Sequence, residues 1–221
     1  RGREEHHVLI EAEALEHRYS PRTEIVISQF SHRFAPGTLT GVTGSSGSGK
    51  STLLYVLALL LTPSGGTIRW DGVDVSSLRD AQRSRLRAMH VGFVFQDAVL
   101  DLSQTVEANV LEAAWLAGIP ANEARSQARA LMTRFGVAGR AHVLPGEVSG
   151  GQAQRIALCR ALVKGPSIIF ADEPTGNLDN ESAGIVWSAL AEAADEGATV
   201  IVATHDTERA HHLPHVLRLP Q

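Results

Sequence analysis

"GSSGSGKST" (Gly44–Thr52) follows directly on the apolar run Leu39–Thr43 and leads into "LLYVLALLL" (Leu53–Leu61). Strand, glycine loop ending in Gly-Lys-Ser, then helix is the context that the G-x-x-x-x-G-K-[ST] motif requires. Such a loop turns successive backbone N–H groups into a concave nest for phosphate oxygens. Gly44, Ser45, Ser46, Gly47, Ser48, Gly49, Lys50, Ser51 and Thr52 are therefore the predicted phosphate-binding residues. Lys50 is placed to reach β- and γ-phosphates, and the Ser51 hydroxyl to ligate Mg2+. A solvated Ser/Gly surface loop would give no reason for Lys-Ser to stand where a helix begins.

Working outward, the run Leu53–Leu61 is far short of the roughly 20 residues that cross a bilayer, so a buried helix is expected. Leu39–Thr43, Val91–Phe95, Ile168–Ala171 and Val200–Ala203 read as buried strands. Each is followed by something chemical: Gly44, then Gln96, then Asp172 with Glu173, then His205. Helical patterns lie at Lys50–Leu61, Ala121–Phe135, Ser182–Ala194 and Thr207–His212. Strands alternating with helices imply an α/β fold with a mostly parallel sheet, and such sheets bind ligands beyond the carboxyl ends of their strands. The polar groups at those strand ends are thus expected to share one crevice.

The stretch 97–164 is rich in Ala, Leu, Glu and Arg and lacks a strand pattern, so it reads as an inserted helical lobe. Residues from Val8 to about Thr38, with "GTIRWDG" (Gly66–Gly72), read as short antiparallel strands and turns. The predicted fold is a P-loop NTPase core with an N-terminal antiparallel β-subdomain and a helical lobe. Residues 1–221 are expected to form one domain, with 1–96 and 165–221 as the nucleotide-binding core and 97–164 as the lobe.

Two further stretches carry chemistry. Asp172 closes the run "IIFA" as a Walker B carboxylate does, positioned to hold Mg2+ directly or through water, and Glu173 beside it is placed as a general base for an attacking water. Alone, Glu173 would read as a capping or solvated acid; next to Asp172 and the phosphate loop it does not. "VSGGQ" (Val148–Gln152) opens a helix with a capping box, Ser149 and Gln152 each satisfying a freed backbone donor. The box leaves Gly150 and Gly151 unexplained, since each glycine costs about 1 kcal/mol of helix propensity relative to Ala. Bare backbone at a helix N-terminus suits the approach of an anion.

Composition narrows the partners. A formal net charge of -4 with no basic stripe disfavours nucleic acid. The single cysteine, Cys159, cannot form an internal disulfide and fits a reducing compartment. "RGREEHHVLIEAEALEH" (Arg1–His17) has no apolar h-region of a secretory signal. The expected location is cytoplasmic, peripheral on the inner face of a membrane.

Taken in order, these motifs resemble those of ATP-binding cassette ATPases: "GSSGSGKST", "FVFQD" with Gln96, "VSGGQ", "IIFADEP", "GNLD" with Asp179, and "ATHD" with His205. Val148 stands where the family prefers Leu, and an apolar residue there is expected to pack under the helix start. The resemblance implies that two copies face each other head to tail. Ser149, Gly150, Gly151 and Gln152 of one copy would then cover ATP lying on the phosphate loop of the other, which supplies the missing anion. It implies that Gln96 helps to hold Mg2+ and place the water. His205 would contact the γ-phosphate, Asp179 would signal between the two sites, and Tyr19 would stack on the base. Tyr19 also reads as a partly buried strand residue. Stacking does not by itself choose adenine, although no N-K-x-D guanine reader is present.

"FVFQ" and "ADEPTGNLD" look most like the macrolide-export, lipoprotein-release and cell-division branch. That likeness implies a separate membrane permease driven by the ATPase, as an exporter or extractor. A force-transmitting ATPase controlling an extracytoplasmic enzyme is the alternative, and a soluble assembly ATPase a third. Val99, Leu100, Leu102 and Val106 suit a groove for a permease helix, or else pack the lobe. Trp70, Trp115 and Trp187 read as packing residues, with Trp115 also suited to a partner surface. His6–His7 and the group His205, His211, His212 and His215 have neither Cys nor acidic companions at ligand spacing. A solvated helix end is expected there rather than a metal site.

Overall fold

The computed structural model describes residues 7–206, 209–210 and 212–220. In chain order the elements are β1 (Ile10–His17), β2 (Ile27–Phe34), β3 (Leu39–Thr43), α1 (Lys50–Leu57), β4 (Gly65–Trp70) and β5 (Val73–Asp74). Then come α2 (Asp80–His90), β6 (Val91–Val94), α3 (Val106–Leu116), α4 (Ala121–Arg134) and α5 (Gly150–Leu162). The chain ends with β7 (Ile168–Asp172), α6 (Asn180–Asp195), β8 (Thr199–Ala203) and β9 (His215–Arg218).

The described strands form two sheets. One is antiparallel in the order β2-β1-β4-β5, and the other runs β6-β7-β8-β3-β9 with every pairing parallel. Strands β3, β7 and β8 are buried along their whole length, as a parallel sheet covered on both faces requires. Alternation along β7 sorts the core: Ile168 and Phe170 face α1 and the antiparallel sheet, whereas Ile169 and Ala171 face α3, α5 and α6. Among residues 97–164 the regular structure is helical, with short 3-10 turns at Ala138–Arg140 and Pro145–Glu147.

The four expected strands stand within one residue of their predicted bounds. Three differences have local causes. Helix α1 stops at Leu57 rather than Leu61, with Leu59 in the left-handed region at φ 61. The Leu59 carbonyl instead accepts from Arg83 and Arg87 of α2, and Pro63 biases the preceding residue away from helix. His215 opens the exposed edge strand β9 instead of lying at a helix end. Third, Val106 is buried in the core and Leu100 packs against it, so only Val99 and Leu102 of the proposed groove are exposed, at 61% and 70%. Trp70 is buried and Trp187 packs on the core, while Trp115 is 46% exposed.

The helix expected at Thr207–His212 includes residues 207, 208 and 211, and His6 belongs to the pair at the N-terminus; these four lie outside the described residues. Among the described residues no helix is long and apolar enough to cross a membrane.

Cys159 lies on α5 with no exposed surface, and burial pushes its thiol up to about 12. At pH 8 the reactive thiolate is then about one part in ten thousand. The folded protein is expected to resist iodoacetamide and to take up one equivalent once unfolded in guanidinium. Rapid labelling under native conditions would contradict this packing.

Candidate functional site

The sheet order decides where the chemistry lies. Strands β6, β7, β8 and β3 are adjacent. Their carboxyl ends therefore deliver, side by side, Gln96, Asp172 with Glu173, His205 and the loop from Gly44. The register aligns Val94 with Ala171, Asp172 with Ala203, and Ala203 with Val42.

The glycine loop ends at Gly49, the N-cap of α1, at φ 86, where a Cβ would come within 3.0 Å of the Val26 carbonyl oxygen. Only glycine takes that backbone turn without strain. Ser45, Ser46 and Gly47 are exposed, whereas Lys50 is buried and its ammonium donates to the carbonyls of Gly44 and Ser45 at 2.9 and 3.0 Å. The Ser48 hydroxyl is buried without a hydrogen-bond partner among the described residues, an orphan that a phosphate oxygen would satisfy.

Asp172 is 4% exposed and holds two hydroxyl donors, one per oxygen. Ser51 Oγ donates to Oδ1 and Tyr55 Oη to Oδ2, both at 2.9 Å. A serine hydroxyl and a carboxylate are hard oxygen donors, the set that suits Mg2+, so the residues present fit that ion. Tyr55 had no signal in the motifs, yet it stands one helical turn beyond Ser51, on the same face of α1. Burial foremost, and then the charge of Asp172, push its phenol up to about 12.

Glu173 follows in the left-handed region at φ 45, its amide tied to the Ala203 carbonyl at 2.9 Å. A bulky side chain in that region costs of order 1–3 kcal/mol and persists where surrounding structure enforces it. The Glu173 carboxylate meets His205 Nδ1 at 2.9 Å, with the acid 13% and the imidazole 70% exposed. Gln96 is exposed in the loop after β6, while the Phe95 carbonyl before it accepts from Gln154 of α5 at 2.8 Å. Gln154 is 3% exposed, and it ties the helix of "VSGGQ" to the Gln96 loop.

That helix begins as its capping box dictates. Gln152 N donates to Ser149 Oγ at 3.3 Å, and Ser149 N to Gln152 Oε1 at 3.0 Å. Ser149 and Gly150 are exposed, with nothing within 4 Å of a Cβ built on Gly150. Gly151 has a reason within its own chain: a Cβ there would lie 3.1 Å from Ser182 Oγ. Val148 packs against the core. Asp179 caps α6, accepting from Ser182 N at 2.7 Å, and that backbone donor holds its carboxyl below the usual range. Tyr19 is neither buried nor in a strand. It lies beyond β1 with 60% of its surface exposed, and its hydroxyl bonds Thr52 Oγ1 at 2.8 Å. Among the described residues no three His, Cys, Asp or Glu side chains group as metal ligands.

Comparison with known proteins decides the family, since a sequence profile of the ABC transporter matches residues 27–176. The chain belongs to the ABC transporter family. It is similar to the lipoprotein-releasing system ATP-binding protein LolD of Hyphomonas neptunium, 41% identical over 85% of this chain and 82% of that one. LolD of Maricaulis maris is 38% identical over 95% and 93%. The macrolide export ATP-binding/permease protein MacB of Sodalis glossinidius is 40% identical over 96% of this chain, which spans only 33% of that protein's length. Among solved structures, the dimeric structure of MJ0796, a bacterial ABC transporter cassette, superposes with a TM-score of 0.88 at 30% identity, covering 95% and 94% of the two chains. The same cassette has been solved as a dimer in a post-hydrolysis state bound to ADP and Pi, at 29% identity and the same TM-score. As an ABC cassette, the chain is an ATP-binding ATPase unit with a parallel P-loop NTPase core.

Proposed function

We propose that this ABC cassette binds ATP between two copies of itself, hydrolyses it, and drives a separate membrane permease as an exporter or extractor. The observation that carries the reading is the delivery of four chemical groups by four adjacent strand ends, with Ser51 against Asp172 and His205 against Glu173. The chain is taken as one ATPase domain, with 97–164 as its helical lobe. Loop 44–52 cradles the phosphates, with Lys50 on the β- and γ-phosphates and Tyr19 offering an exposed ring to the base. Ser51 and Asp172, with Gln96, would hold Mg2+, which offsets phosphate charge as the bond breaks. Glu173 takes a proton from the attacking water, and His205 contacts the γ-phosphate and orients that water.

The turn at Ser149 and Gly150 is exposed on its own copy. Support for a split site is the pair of bare N–H groups at a helix N-terminus, together with the dimeric state of the MJ0796 cassette. ATP that contacts both copies stabilises the dimer by linkage. Hydrolysis removes the bridging γ-phosphate and lets the copies part. Asp179 lies where α6 begins, beside the Ser182–Gly151 contact, and carries the state of one site toward the other.

The permease reading rests on LolD and MacB, whose names couple an ATP-binding protein with a releasing or export system, and on Val99 and Leu102, two apolar side chains exposed beside the Gln96 loop. The test is to tag the Glu173→Gln chain in its native host, solubilise membranes gently with ATP present, and identify co-purifying proteins. A polytopic protein with a large extracytoplasmic domain is the expected result. A soluble partner alone, with the tagged chain absent from membranes, would overturn it.

A further inference from the structure

Tyr55 is a residue that phosphate-loop chemistry does not call for, and its surroundings are specific. Its hydroxyl donates to Asp172 Oδ2 at 2.9 Å, while Ser51 Oγ, one helical turn earlier, donates to Oδ1 at the same distance. The ring lies beside Phe93 and Phe95, with centroids at 5.6 and 6.3 Å, and those two rings stack on each other at 4.2 Å. Phe93 stacks in turn on Phe170 of β7. The phenol is thus held by an aromatic shelf built on β6, on Phe95 just after it and on β7, the segments that lead to Gln96 and to Asp172.

A buried carboxylate can rotate about its terminal torsion, which is broad and roughly two-fold. A donor fixed on each oxygen removes that freedom. The two donors are not equivalent, because the Ser51 oxygen is itself placed to ligate the metal through a lone pair while its proton donates to Asp172. Tyr55 has no such second task. We propose that Tyr55 is a positioning residue for the metal site: it holds Oδ2 of Asp172 so that Oδ1 stays aimed beside Ser51. This rests on the reading of Asp172 as a metal ligand.

The test measures coupling between metal and nucleotide rather than turnover. A fluorescent ATP analogue is titrated into the Glu173→Gln chain in EDTA and again in excess Mg2+, and the ratio of the two affinities reports how strongly the protein holds the ion. Tyr55→Phe keeps the ring on its shelf and removes only the donor. The expected result is an unchanged affinity in EDTA and a ratio lowered about fivefold to tenfold, the effect of losing one hydrogen bond of ordinary net strength. A ratio equal to that of Glu173→Gln alone, or an equal loss of affinity with and without Mg2+, would overturn the inference. Asp172→Asn separates the two readings. If it lowers the ratio while Tyr55→Phe does not, only the role of Tyr55 fails. If Asp172→Asn leaves the ratio untouched, the metal assignment fails and the inference with it.

Discussion

Replacing Glu173 with glutamine is expected to lower ATP turnover by about a hundredfold to ten-thousandfold, the range a positioned general base contributes. Affinity for ATP should stay close to that of the unaltered chain. Glutamine has the shape of glutamate and can still bond His205, so the local structure around the 2.9 Å contact is kept. What is lost is the group that accepts a proton from water. The backbone argues for the same residue: the chain holds Glu173 at φ 45, and strain of that kind is retained where a side chain must be aimed. Rates of single turnover with radiolabelled ATP, beside a binding titration, measure both quantities. Full activity in Glu173→Gln would remove Glu173 as the base.

The second large effect is expected from Ser149→Arg. The serine is exposed and caps α5 through Gln152 at 3.3 Å, and loss of such a cap costs about 1 kcal/mol, a cost the folded chain should survive. A long cationic side chain at this turn blocks a surface that must close over a phosphate held elsewhere. The variant is therefore expected to bind ATP as a monomer with nearly unchanged affinity, and to lose ATP-dependent dimerisation and turnover together. Loss of ATP binding by the monomer would place Ser149 in the site of its own chain and contradict the split.

Much of this was legible because the decisive residues lie where sequence and backbone are tightly coupled. A phosphate loop is a local motif, and the apolar runs before Gly44, Gln96, Asp172 and His205 are strands buried along all or most of their length. The capping box at Ser149 was readable because it joins residues three apart. Helix α2 was not, since Asp80–His90 is strongly polar and buries only Arg83 among its residues. With no apolar stripe, its stability comes from Arg83 and Arg87 on the Leu59 carbonyl and from Lys164 on the carbonyls of Arg87 and Ala88. Such bonds span distant segments and leave no periodic signal. Strand β9 was hidden for a similar reason, being a short edge strand after Pro214 that exists by pairing with β3.

The site shows the same division. Ser51 and Asp172 could be paired by motif, but Tyr55 and Gln154 act through contacts across the fold. Gly151 offers bare backbone for a phosphate, yet it also makes room for Ser182 of its own chain. Gly150, with nothing among the described residues within 4 Å of a Cβ built on it, keeps the intermolecular reading.

That reading is open to one direct measurement: the mass of the Glu173→Gln chain by light scattering during size exclusion, with and without ATP. The account predicts a monomer near 23.6 kDa without nucleotide and a dimer of twice that mass when ATP and Mg2+ are present and turnover is blocked. A chain that is saturated with ATP and still elutes as a monomer would contradict a site shared between two copies.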